Sequence, residues 1–220
     1  MIASQLIEDL LPPIKPTESC GKALHWMGDF KIGHLPVVDV NNFIGIISEE
    51  DLLDANFHEE SIAESKIPLT HFFVYEYQHI FEVMRLMSDN NLTIVPILDK
   101  NEHYIGSTTL AHLMNLTANT ISIKEPGGVI VLRINAKDYS LAQIAQIVEG
   151  NDAKILSSYI TSSESTTEMD VTIKVNKTEL RGILQTFNRY DYKVIDTYQR
   201  DDDFSDLHNR YDNLMNMLDL

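Results

Sequence analysis

The chain has 220 residues, 44% of them apolar, which is enough to bury a sizeable core in one or two domains. Its 17 basic and 33 acidic residues leave a net charge of −16, which argues against sequence-independent binding to nucleic-acid phosphates or to an anionic membrane surface. Cys20 is the single cysteine, so no internal disulfide can form; the opening MIASQLIEDLLPP has neither the basic start nor the unbroken apolar run of a signal peptide, and a cytoplasmic location is expected.

Along the chain, a helical stretch at 23–30 leads into the branched strand LPVVDV, the turn Asn41-Asn42, a second strand FIGII, and a new helix opened by Ser48. The same order returns at 83–114. There Ile80, Val83, Met84 and Met87 share one helical face, followed by TIVPIL, a polar turn KNEH, the strand YIGST and Thr109. Pro36 aligns with Pro96, Asp39 with Asp99 and Gly45 with Gly106. Each copy reads β-α-β-β-α, and residues 1–60 and 61–120 are too short to be comfortable alone, so the copies are expected to pack as a pair.

Residues 121–200 have a different grammar. GGVIVLRINA is a strand, SLAQIAQIVEG a helix, AKILSSYIT and EMDVTIKVN two strands around the polar SSESTTE, KTELRGILQTFNRY a helix and KVIDTYQR a last strand. The order βαββαβ is that of a ferredoxin-like unit. In residues 201–220 an acidic run leads into a stripe of Phe204, Leu207, Tyr211, Leu214 and Leu218, an amphipathic C-terminal helix that would dock on its own domain or on a partner subunit. The fold class expected is α+β.

The stretch GIISEED, residues 45–51, has two readings. Ser48 can cap a helix, with Asp51 reaching back as in a capping box. A hydroxyl and a carboxylate at a helix start can also hold a phosphate and a sugar diol, and Gly45 would let a ligand approach the backbone. Two copies of a unit ending in Gly-h-h-Ser/Thr-x-x-Asp resemble cystathionine-β-synthase (CBS) domains, which pair into a regulatory (Bateman) module. The resemblance covers roughly residues 1–118.

It implies that repeat 1 binds an adenosine-containing ligand of the AMP, ATP or S-adenosylmethionine type. Ser48 and Asp51 would hold phosphate and ribose, His34, Leu35, Pro36 and Val37 would line the base, and the segment from Ile14 to Thr17 would close the pocket. Repeat 2 departs from the pattern: it keeps Thr109 but has His112 where the Asp would stand, so Thr93, Val95, Pro96, Thr109 and His112 form a degenerate second site. Residues 1–119 hold 6 basic and 17 acidic residues, so a triphosphate would need Mg²⁺ or a basic partner surface.

Residues 121–200 resemble an ACT domain, a fold that often binds amino acids and joins its sheets in dimers. The loop NAKDYSLAQI lacks the glycine such a site uses. CBS repeats followed by an ACT-like domain resemble regulatory proteins of the acetoin-utilisation type. No catalytic motif is present, and the eight histidines have no zinc-motif spacing, so neither an enzyme nor a metal site is expected. The expectation is a homodimeric sensor with a small adenosyl ligand and a protein target. The alternative is an oligomerisation scaffold with vestigial sites.

Overall fold

The computed structural model describes residues 1–8, 12–162 and 167–199. They divide into two compact units, Met1–Thr117 and one that begins at Ala118, and the predicted C-terminal helix lies outside the described residues.

In the first unit a 3₁₀ turn at Ala3–Leu6 precedes α1 (Cys20–Phe30), β1 (His34–Asp39), β2 (Asn42–Ser48), α2 (Glu49–Ala55) and the short α3 (Ile62–Ser65). Then come β3 (Val74–Tyr75), α4 (Ile80–Asn90), β4 (Ile94–Leu98), β5 (Tyr104–Thr109) and α5 (Leu110–Thr120). The repeat is visible in the backbone. Helices α1 and α4 both end on a left-handed residue, Lys31 and Asn91, whose N–H groups donate to the carbonyls of Met27 and Met87. Strands β1 and β2 are antiparallel with a bulge at Val37/Val38, and β4 and β5 are antiparallel with the same irregularity at Ile97/Leu98. The opening strand of repeat 1 shrinks to one parallel bridge, Ile14 to Val37, whereas that of repeat 2 is β3, parallel to β4.

The two repeats share their cores. Ile94 of repeat 2 packs with Ile14, Met27, Leu35 and Ile47, while Ile46 of repeat 1 packs with Val83, Met87, Val95 and Ile97. Leading segments are exchanged as well: Ala3 and Leu6 pack in the second cluster, Ile62 and Ile67 in the first. Neither copy therefore encloses a core of its own.

The second unit is a four-stranded antiparallel sheet, formed by β6 (Gly128–Asn135), β7 (Ile155–Ser162), β8 (Glu168–Val175) and β9 (Lys193–Tyr198) in the order β7-β8-β6-β9. Helices α6 (Leu141–Glu149) and α7 (Arg181–Arg189) pack on one face, burying Ile144, Ile147, Ile183 and Phe187 against Ile130, Leu132, Val171 and Ile173. The element order and sheet order are those of the ferredoxin-like βαββαβ fold. Among the described residues no helix is long and apolar enough to cross a membrane.

Candidate functional site

The first repeat gathers its polar groups where β1 begins and β2 ends, because the register pairs His34 with Ser48. Ser48 caps α2: its Oγ accepts from the Asp51 N–H at 3.0 Å and donates to Asp51 Oδ2 at 2.5 Å. The carboxylate thus reaches the Ser48 hydroxyl rather than its backbone N–H, which is not the reciprocal capping box that the spacing suggests. The N–H of Glu49 donates to Gly33 O at 2.9 Å and fastens the loop before β1 to the start of α2. Asp51 and Ser48 are half-buried, while Glu49 and Glu50 beside them are exposed.

His34 is held from the other repeat. Its Nδ1 accepts from the Thr93 N–H at 3.3 Å and lies 3.0 Å from Thr93 Oγ1, and that oxygen accepts from the Gly33 N–H at 3.0 Å. An Nδ1 that accepts a hydrogen bond carries no proton, so the ring proton sits on Nε2. Burial lowers the His34 pKa from its usual value, and the nearby Asp51 carboxylate opposes that shift only in part. Near neutral pH the site therefore offers a neutral imidazole with an Nε2–H donor, a serine hydroxyl and a carboxylate. Asp51 Oδ1 has no hydrogen-bond partner among the described residues.

Not every residue named from the sequence is placed with these three. Ile14, Leu35 and Val37 are fully buried in the core with Met27 and Leu52, and Pro36 is buried too. Their role is to build the wall through the backbone: Ile14 N donates to Pro36 O and Val38 N to Ile14 O, both at 2.9 Å. Strand β1 is covered on both faces from Leu35 to Val38, so these successive residues all point into packing. Thr17 is exposed in the preceding turn. The space at Gly45 goes to the chain itself. A Cβ there would come within 2.7 Å of Leu69 Cβ and 3.0 Å of Thr70 O, leaving that room to no ligand.

The second repeat is closed by a residue that the sequence did not point to. Glu8 Oε2 accepts from the Thr109 N–H at 2.9 Å and from the Thr109 hydroxyl at 2.7 Å, and Glu8 Oε1 lies 3.4 Å from His112 Nδ1. Thr109 Oγ1 in turn accepts from the His112 N–H. The Glu8 N–H donates to Ser107 O, and Ile7 covers Gly106, where a Cβ would meet Ile7 Cγ2 at 2.5 Å. Thr93 belongs with His34, and Val95 and Pro96 are buried, so of the five second-site residues only Thr109 and His112 meet. The signal for Glu8 was faint, one of two adjacent carboxylates in the leading segment, 101 positions from its partner.

In the second unit the β6–α6 loop borders a hollow of about 290 Å³ lined by Arg133, Asp138, Gln143, Tyr190 and Tyr192. Tyr192 Oη donates to Gln143 Oε1 at 2.9 Å across one side. Among the described residues no group of three His, Cys, Asp or Glu is placed to hold a metal ion.

Comparison with known proteins agrees with the repeat. Homoserine O-acetyltransferase of Methanosphaera stadtmanae is 35% identical over 89 residues, which are 38% of this chain and 17% of that protein. The chain thus spans about a sixth of that relative's length. A CBS domain pair/ACT domain protein from Thermotoga maritima is similar in structure, with a TM-score of 0.48, 22% identity and coverage of 54% of this chain and 98% of that one. A putative acetoin utilization protein from Vibrio cholerae gives 0.49, 21%, 56% and 95%. Residues 7–58 and 65–119 each match the CBS domain family, and with the repeated backbone and shared cores they make the first unit of this chain a tandem pair of CBS domains.

Proposed function

We propose that the chain is a non-catalytic, cytoplasmic sensor whose first repeat binds an adenosine-containing ligand. The observation that carries this reading is the meeting of His34 Nε2–H, the Ser48 hydroxyl and the free Oδ1 of Asp51 at one end of β1 and β2, within a CBS pair. A carboxylate oxygen without a partner suits a vicinal diol, which donates twice, and a neutral imidazole N–H suits a ring nitrogen or ether oxygen. Three carboxylates, Glu49, Glu50 and Asp51, stand in the first turn of α2. They repel a polyphosphate, so the site favours AMP, adenosine or S-adenosylmethionine over ATP, unless Mg²⁺ accompanies the triphosphate.

Because His34 is held by Thr93 of the other repeat, a ligand on His34 touches both copies and shifts how they pack. That shift would then pass to the ACT-like unit or to a protein target. The test is calorimetric titration with AMP, ADP, ATP with and without Mg²⁺, adenosine and S-adenosylmethionine, on wild type and Asp51→Asn. Binding weakened at least tenfold in Asp51→Asn, with unfolding stability changed by less than about 1 kcal/mol, supports the sensor. Equal affinities, or no binding by either protein, reject it.

A separate observation favours the scaffold reading. Helices α4 and α5 leave a groove of about 400 Å³ between them, lined by Met84, Met87, Leu92, Leu110, Leu113 and Met114. Phe81 and Met114 are 69% and 60% exposed, an apolar surface of the kind a second subunit would cover. Sedimentation of wild type and Met114→Lys tests it: a dimer that becomes a monomer supports assembly through this groove.

A further inference from the structure

The two repeats carry the same hydroxyl but receive their carboxylate from different places. In repeat 1 Asp51, on the helix that Ser48 opens, accepts the Ser48 hydroxyl. In repeat 2 the equivalent position is His112, and the carboxylate that accepts the Thr109 hydroxyl is Glu8, from the leading segment of the chain. The backbone explains the exchange. Glu8 N donates to Ser107 O, and Thr70 N donates to Ile46 O, so Glu8 in repeat 2 stands where Thr70 stands in repeat 1. Thr70 is exposed and its hydroxyl turns to the Ile46 carbonyl, leaving Ser48 and Asp51 uncovered by that segment. Glu8 turns the other way and takes up both donors of Thr109, with its side chain only 17% exposed.

We infer that Glu8 is the residue that sets how many ligands the chain takes: its carboxylate occupies the second site in cis, so an anion or a diol cannot use Thr109 and His112 without displacing it. The substitution of His112 for the aspartate fits this. A carboxylate at 112 would face Glu8 across about the 3.4 Å now spanned by the imidazole, and like charges at that distance repel. His112 places a ring nitrogen there without the negative charge that an aspartate would add. The pair Glu8 and His112 thus forms one closed arrangement, and Ser48 with Asp51 one open arrangement, on the same backbone. This assignment rests on the first-site reading only for the identity of the physiological ligand.

The experiment therefore uses a probe that does not depend on that reading. Inorganic phosphate carries the acceptor oxygens that the Thr109 N–H and hydroxyl require. Thermal unfolding of the full chain is followed with increasing phosphate, against equal ionic strength of chloride, in wild type, Glu8→Ala, Glu8→Gln and Glu8→Ala/Thr109→Val. Saturable stabilisation in Glu8→Ala that exceeds by several degrees any seen in wild type or in the double variant, where only the first site is open, is the expected result. Glu8→Gln keeps an acceptor for Thr109 but loses the charge. It guards against a misfolded alanine variant and is expected to respond to phosphate at concentrations where wild type does not. If both single variants respond as wild type does, or if the added response survives loss of the Thr109 hydroxyl, the assignment is overturned and Glu8 is only a tether.

With AMP as the titrant, the stoichiometry is expected to be one per wild-type chain and two per Glu8→Ala chain. A phosphate response without AMP binding would sink the adenosine reading and leave Glu8 as the occupant.

Discussion

Burial holds the pKa of the His34 imidazole below its usual value, against the opposing pull of Asp51, and that has a sign in solution. Its folded pKa lies below the unfolded value of 6.5. Between those two values the unfolded chain binds the extra proton, so this contribution is complete above pH 6.5 and is lost as the pH falls toward the folded pKa. Denaturant unfolding at pH 7.5 and 5.5 should show a smaller loss on acidification in His34→Gln than in wild type; equal losses would show that another histidine dominates. Ser48→Ala removes an N-cap and should cost about 1 kcal/mol by the same method, whereas Asp51→Asn, which keeps an acceptor for the Ser48 hydroxyl, should cost less. At this scale the sequence was legible only where the partner is near. The Ser48 cap spans three positions and could be read directly, whereas Thr93 on His34 and Glu8 on Thr109 bridge 59 and 101 positions and leave no local trace. Ile14, Leu35 and Val37 were read as pocket walls because a motif records which residues are near a ligand, not whether they face it through backbone or side chain.

Elements were easier to read, because hydrophobic periods of 3.6 and 2 report local conformation. Helices α1 and α4, the paired strands of each repeat and the βαββαβ order all appear in the apolar pattern. The turn between β1 and β2 goes against its sequence: Val40 adopts φ 57° and is 88% exposed. A β-branched side chain is strained there, where a tight hairpin prefers Asn or Gly. Val40→Asn should raise stability by about 1 kcal/mol, read from the denaturation midpoint, and an unchanged midpoint would mean that the turn is not strained. Gly45 makes the opposite case. Ala at that position would push a Cβ against Leu69 and the Thr70 carbonyl, and the segment they belong to would have to lift. A loss of about 1–3 kcal/mol is expected for Gly45→Ala.

For the molecule, the described core clusters respect the boundary near residue 118 and ignore the one between the repeats. Residues 1–120 should therefore fold alone with a cooperative melt, and residues 1–60 should not, as circular dichroism of the two fragments would show. A folded 1–60 fragment would contradict the shared cores. The repeat itself stood out in the sequence through Pro36 and Pro96, Gly45 and Gly106. The exchange of leading segments did not, since Ala3, Leu6, Ile62 and Ile67 carry no mark of which copy they will join.

That exchange has a consequence while the chain is being made. Leu6 and Glu8 leave the ribosome about a hundred residues before Leu113 and Thr109, with which they settle. At roughly 5–20 residues per second this leaves the leader without its seat for on the order of 5–20 s. Repeat 1 meets a shorter delay of the same kind, since its core waits for Ile94. The first repeat thus lacks a complete core during its own synthesis, and the pair can close only once β5 and the start of α5 have emerged.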